Sequence, residues 1–325
     1  MIIVTGGAGF IGSALISRLN QSGYKDIIVV DHFGKNEKYR NLIPLKFKEI
    51  FDGDEFIEDV FEDLLQEGKL ETIFHLGACS STTEDDFKYL LNNNFDYSKE
   101  LCLGALEFDV RFIYASSAAT YGNGSSGYQD NDDELDKLMP LNGYGYSKQL
   151  FDVWARDNGY LDKIAGLKYF NVFGPNEYHK EDMRSVVHKS FQQIKKTGRA
   201  RLFKTTSSQY GDGEQERDFI YVKDAVDMTL FFHNNKKTNG IYNVGTGEAN
   251  TFNSLVKPIF KILGLKEDIE YFDMPERLKE KYQDYTQADI TKIRNAGYDG
   301  PITKIEEAVT DYVKNYLNTN NPYLS

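Results

Sequence analysis

The stretch MIIVTGGAGFIGSAL, residues 1–15, decides the fold. Ile2 to Val4 are a short apolar, β-branched run that reads as a strand. Gly6, Gly9 and Gly12 follow at G-x-x-G-x-x-G spacing, and apolar residues then recur at helical intervals through "GSALISRLNQSG". A strand, a glycine turn and a helix in that order can cradle a dinucleotide pyrophosphate. Gly6 makes the turn tight, Gly9 lets backbone approach the phosphates and Gly12 lets the helix pack on the strand. The helix N-terminus then faces negative oxygens. Asp31 closes the next apolar run, "DIIVVD", about 20 residues on, where a carboxylate takes the adenosine ribose hydroxyls. The acid in that place makes dinucleotide binding the expected function. Lys35, Lys38 and Arg40 follow closely. They either neutralise a ribose 2′-phosphate or form a solvated basic loop.

Outward from this stretch, "ETIFHLGA" and "VRFIYASS" are further strands, and the segment between them is long enough for a crossover helix. Strands alternating with helices predict an α/β fold, a Rossmann-type doubly wound parallel sheet. Beyond it a smaller, mostly helical C-terminal substrate domain is expected. The expected division gives 1–170 with 218–246 to the dinucleotide domain and 171–217 with 247–325 to the substrate domain. "TTSSQYGDGEQERD", 205–218, reads as a polar loop, and "NTNNPYLS", 318–325, as frayed.

The totals are consistent with an enzyme of this size. The chain has 325 residues, 40% of them apolar, enough for a large core. Its net charge of −12 argues against a nucleic-acid or anionic-membrane binder. Cys79 and Cys102 are too sparse for a disulfide framework, and no His/Cys cluster suggests a metal site. No run approaches a membrane span or a signal peptide, so a cytoplasmic location is expected.

In "LNGYGYSKQLF", 141–151, Tyr144 and Lys148 are four residues apart and share a face if the stretch is helical. Tyr146 points elsewhere and reads as a packing residue. A free phenol has a pKa of about 10, and a nearby ammonium and an oxidised nicotinamide ring would lower it. Ser117 ends a sheet strand, where its hydroxyl can meet a substrate oxygen or its own backbone. Ser116 faces the other way. Lys180, in "GPNEYHKEDM", reads on its own as a phosphate or cofactor contact or as a surface lysine. Arg217 offers a guanidinium fork to a diphosphate, or pairs with Glu216 or Asp218.

Together these residues resemble the extended short-chain dehydrogenase/reductase family. More narrowly, "HLGACSSTTE", "YASSAATYG", "GYGYSK", "YFNVFGP", "HKEDM", "RDFIYV" and "KYQDYTQADITKIRNAGYD" are similar to the ADP-glyceromanno-heptose 6-epimerases of bacterial lipopolysaccharide core synthesis. The resemblance implies a homo-oligomeric enzyme that inverts C6 of an ADP-heptose by transient oxidation with bound NADP, NAD being the alternative. It assigns Tyr144 and Lys180 as the two acid/bases, helped by Ser117 and Lys148. It lays Phe10, Ile11, His32, Leu76, Gly77, Ala78, Cys79, Ser80, Asn93 and Val172 along the cofactor. It gives Asn171, Asp182, Lys189, Phe203, Lys204, Thr205, Thr206, Arg217 and Tyr282 to the nucleotide sugar. The departures are Leu76 where Glu is usual, Gly53 where lysine is usual, and Lys189 at the place of a substrate histidine. Sugar dehydratases of the wider family place an Asp-Glu pair where Ala118 and Ala119 stand, so no acid is supplied for elimination. A UDP-hexose 4-epimerase and a non-catalytic dinucleotide sensor are the competing readings.

Overall fold

The computed structural model describes residues 1–276 and 283–325. Seven strands form one sheet: β1 (Ile2–Thr5), β2 (Ile27–Asp31), β3 (Glu49–Asp52), β4 (Thr72–His75), β5 (Arg111–Ser117), β6 (Ala165–Tyr169) and the strand Gly240–Val244. Their spatial order is Gly240–Val244, β6, β5, β4, β1, β2, β3, and every pairing is parallel. The order reverses between β1 and β4, which opens a crevice at the carboxyl ends of these strands.

The strand residues alternate between two cores, as a period of two requires. Ile2, Val4, Ile27 and Val29 join the core that holds Ala14, Leu15 and Leu19 of the helix Phe10–Gln21. Ile3, Ile28 and Val30 join the core that holds Leu101 and Phe151, from the helices Tyr97–Glu107 and Gly143–Asp157. The sheet is therefore covered on both faces. The first core continues into the helices Val186–Thr197, Phe252–Leu263 and Ile305–Tyr312, through Phe191, Phe260 and Tyr312. That continuation is the helical C-terminal region.

The free edge at Gly240–Val244 is closed by side chains. Asp132 accepts from Ile241 N at 2.9 Å and Asp130 from Asn243 N at 2.8 Å, while Lys292 donates to Ile241 O at 2.8 Å. Unpaired edge groups are thus satisfied within the chain.

Two features differ from the sequence reading. β3 was not expected; it is a short outer strand with Glu49 and Ile50 exposed. The residues before Ser325 are docked: Leu324 is buried and its N–H donates to Asn176 Oδ1 at 3.0 Å. Among the described residues no helix is long and apolar enough to cross a membrane.

Candidate active site

The crevice is a cleft of ≈ 760 Å³. Gly6, Gly9, Phe10, Ile11 and Gly12 line it, as do Asp31, His32, Lys38, Leu76, Gly77, Ala78, Cys79, Ser80, Asn93 and Val172. Ser117, Tyr144, Lys148 and Lys180 line it too. A larger hollow of ≈ 1040 Å³ lies against the outer sheet edge. Its Asp130, Asp132 and Lys292 are the groups already bonded to edge backbone.

The glycine turn is built around close backbone approach. Gly6 has φ +66, and a Cβ there would lie 2.8 Å from Leu76 C. A Cβ on Gly12 would lie 2.2 Å from Gly6 O, while one on Gly9 would meet that oxygen at 3.0 Å. Gly12 is therefore the stricter position inside the chain, and any further demand at Gly9 comes from a ligand. The helix Phe10–Gln21 starts at Gly9 with no side chain capping it, so its first N–H groups face the cleft's end of the sheet with positive partial charge. This cradle fits a dinucleotide pyrophosphate.

Asp31 accepts from Ala8 N at 2.9 Å and from Lys38 Nζ at 2.5 Å. His32 packs against Gly53, where a Cβ would lie 2.5 Å from the ring, and its Nδ1 lies 3.7 Å from Asp52 and 4.0 Å from Asp54.

Tyr144 and Lys148 lie on the helix Gly143–Asp157, whose N-cap Asn142 accepts from Gly145 N at 2.8 Å. Burial pushes the Tyr144 phenol above its ordinary range; the Ser117 hydroxyl pulls it back, and Cys79 and Asp152 push it further up. Burial also pushes Lys148 down to about 8, against the pull of Asp152 and Cys79. In the chain alone the phenol is therefore shifted upward by burial, opposite in direction to the expected acidification. Ser117 Oγ also accepts from Ala119 N at 3.1 Å, so the hydroxyl caps a turn and faces the cleft at once. Ser116 also borders the cleft, but its hydroxyl donates to the buried Asp152 at 2.7 Å. Asp152 also pairs with Lys168 at 2.7 Å, and both side chains are fully buried. Tyr146 is exposed and stacks on Phe87.

Lys180 sits on the irregular turn Tyr178–Met183, its Nζ 5.4 Å from the centre of the Phe10 ring. Burial pushes its pKa down, opposed by Glu177. His179 is pushed down to about 4 by burial and by Lys180 and Lys38, so it stays neutral.

Asn94 was not singled out by sequence reasoning, yet it ties the site together. It accepts from Cys79 N at 2.8 Å, donates to Cys79 O at 3.0 Å and donates to Ser147 Oγ at 3.0 Å. It thereby joins the loop after β4 to the helix that bears Tyr144. It lies in the π-helical turn Leu91–Asp96.

The profile of the NAD dependent epimerase/dehydratase family matches residues 2–245. The chain belongs to this family. It is 49% identical, over the whole of both chains, to the ADP-L-glycero-D-manno-heptose-6-epimerase of Nitratidesulfovibrio vulgaris. To the protein of the same name from Fusobacterium nucleatum it is 44% identical, again over all of both chains. The crystal structure of the Helicobacter pylori ADP-L-glycero-D-manno-heptose-6-epimerase superposes with a TM-score of 0.80 at 28% identity, covering 97% of this chain and 95% of that one.

The epimerase/dehydratase match ends just past the last strand of the large sheet, so it embraces the whole cleft. The residues expected to meet a sugar are more dispersed. Asn171 opens the short strand Asn171–Phe173 and is exposed. Lys189 donates to Asp182 O, which brings those two together. Phe203 ends the strand Ala200–Phe203 and packs on Phe272 at 4.8 Å. Lys204 pairs with Asp273 at 3.2 Å, Thr205 N donates to Asp212 at 3.0 Å, and Thr206 follows in the same loop. Arg217 is buried in the strand Glu216–Arg217. Its neighbour Asp218 accepts from Thr246, Gly247 and Ala288. Tyr282 lies outside the described residues.

Proposed function

We propose that the chain interconverts ADP-D-glycero- and ADP-L-glycero-D-manno-heptose, as an isomerase serving lipopolysaccharide core synthesis. The observation that carries this reading is the convergence of Ser117, Tyr144, Lys148 and Lys180 on the cleft that holds the glycine turn. The 49% identity to a full-length relative of that name supports the substrate. A bound nicotinamide dinucleotide supplies hydride acceptance and return at C6. The chain's own groups handle the proton. Ser117 orients the C6 oxygen. Tyr144 and Lys180 hold or take the hydroxyl proton, one for each face of C6. Burial of the phenol favours its protonated form; positive charge brought into the cleft favours the phenolate. Asn171, Asp182, Lys189, Arg217, Tyr282 and the 203–206 loop are assigned to the ADP-sugar.

The proposed dinucleotide is NADP. Lys38, 2.5 Å from Asp31, can neutralise that carboxylate beside an added phosphate. NAD is the alternative, because Gly53 adds no cation and Asp52 and Asp54 flank His32. Denaturing the purified protein and identifying the released dinucleotide decides between them. Incubation with ADP-D-glycero-D-manno-heptose should yield the L-glycero epimer, and UDP-glucose should not turn over. Efficient turnover of UDP-glucose with none of the heptose would overturn the proposal. Tyr144→Phe should lower kcat by roughly 10²–10⁴.

A further inference from the structure

Lys180 is placed by its backbone. Its Nζ lies over the Phe10 ring and, among the described residues, has no hydrogen-bond partner. The backbone around it is irregular: Asn176 has φ 77 and Glu181 φ 45, both in the left-handed region. Such residues are strained and persist where the surroundings over-determine them.

The surroundings of Asn176 can be traced bond by bond. Its side chain is fully buried. Nδ2 donates to Ser13 Oγ at 3.0 Å, and Ser13 Oγ in turn donates to Gly9 O at 2.6 Å in the glycine turn. Its carbonyl accepts from Asn41 Nδ2 at 3.0 Å. Oδ1 accepts from Leu324 N at 3.0 Å. Two residues on, Tyr178 OH donates to Pro322 O at 2.6 Å, and its ring meets Tyr323 edge-on at 5.3 Å. Leu324 is buried, and Gln21 Nε2 donates to Ser325 O at 3.1 Å. The segment Pro322–Ser325 therefore touches the end of the first helix and both residues that lead into the Lys180 turn.

We propose that Pro322–Leu324, acting through Asn176 and Tyr178, are positioning residues that hold Lys180 against the glycine turn. This rests on Lys180 being one of the two proton carriers. The charged and titratable groups around that ammonium are Glu177 and His179, with Lys38 and Asp31 beyond the histidine.

The test uses three variants of the full chain with its co-purified dinucleotide: a truncation after Asn321, Tyr178→Phe and Lys180→Met. Removing the segment should leave dinucleotide bound and KM within about threefold, yet lower kcat roughly 10- to 100-fold. Tyr178→Phe, which deletes the hydrogen bond to Pro322 O, should do the same more weakly. The limb of the kcat–pH profile that vanishes in Lys180→Met should move to higher pH in both, because the ammonium regains water. A purely structural role would lower the melting temperature and leave that limb in place. Parental kcat and an unshifted profile in Tyr178→Phe overturn the proposal, and this variant decides alone if the truncated chain does not fold. Parental epimerisation by Lys180→Met would instead remove the reading of Lys180, and the proposal with it.

Discussion

Lys148 and Lys180 line one cleft, and burial lowers the pKa of both. They stand on different kinds of wall. Lys148 belongs to a regular helix of 15 residues, one turn from Asp152, which is held by Tyr114, Ser116 and Lys168. Lys180 belongs to a short turn with two left-handed residues near it, held by bonds from distant segments. The helix wall is stiff because its own backbone is satisfied and a buried ion pair lies beneath it. The loop wall is stiff only as far as its neighbours hold it. A group that must serve every turnover from a fixed place suits the first. In the proposed reaction, a group that meets the sugar from a second side suits the second.

The largest expected effect breaks the helix wall. Lys168→Met leaves Asp152 buried without its ion-pair partner and also removes the bond to Thr120 Oγ1 at 2.6 Å. Breaking a buried pair on one side costs about 3–5 kcal/mol. A denaturant titration should show a loss of that size, partly recovered in Lys168→Met/Asp152→Asn. A loss under about 1 kcal/mol would mean the wall does not depend on the pair.

A smaller effect has the opposite sign. The folded pKa of Lys148, about 8, lies below the unfolded value of about 10.4. Between those values the unfolded chain holds the proton more tightly, so stability rises with pH across that window. Below it both states are charged and the folded chain carries the burial cost in full. Lys148→Met should therefore stabilise the protein near neutral pH, by on the order of 1–3 kcal/mol, and the gain should shrink as pH rises past about 8. The same variant should lose epimerisation, a trade of activity for stability. Melting curves at neutral and alkaline pH check this; a lowered midpoint at neutral pH would contradict it.

The two walls also differ in how much the sequence reveals. Tyr144 and Lys148 are legible because four residues along a helix make one face. The glycine turn and Asp31 are legible because strand, turn and acid are close in sequence. The supports of Lys180 are not, since Asn176 bonds across 163 residues to Ser13 and across 148 to Leu324. Position along the chain even misleads there: the terminal residues read as frayed, while Leu324 is buried. Asn94 escaped notice because the π-helical turn Leu91–Asp96 shifts the face on which its residues lie, so α-helical spacing does not single it out. β3 escaped because an outer strand lacks the continuous apolar run of a central one.

The smallest predicted effect separates strain from bonding in the loop wall. Asn176→Gly relieves the left-handed backbone, worth about 1–2 kcal/mol. It also removes the side-chain bonds to Ser13 and Leu324, each worth about 0.5–1.5 kcal/mol. It leaves those two groups in need of water. The two changes nearly cancel, so the expected net loss is about 1 kcal/mol or less. The rate should nonetheless fall, because glycine at that position is free to leave the conformation that the side chain enforces. An Asn176→Gly chain that matches the parent in both midpoint and kcat would show that backbone conformation alone fixes the turn. A chain that matches in midpoint and loses rate would show that the side-chain bonds do.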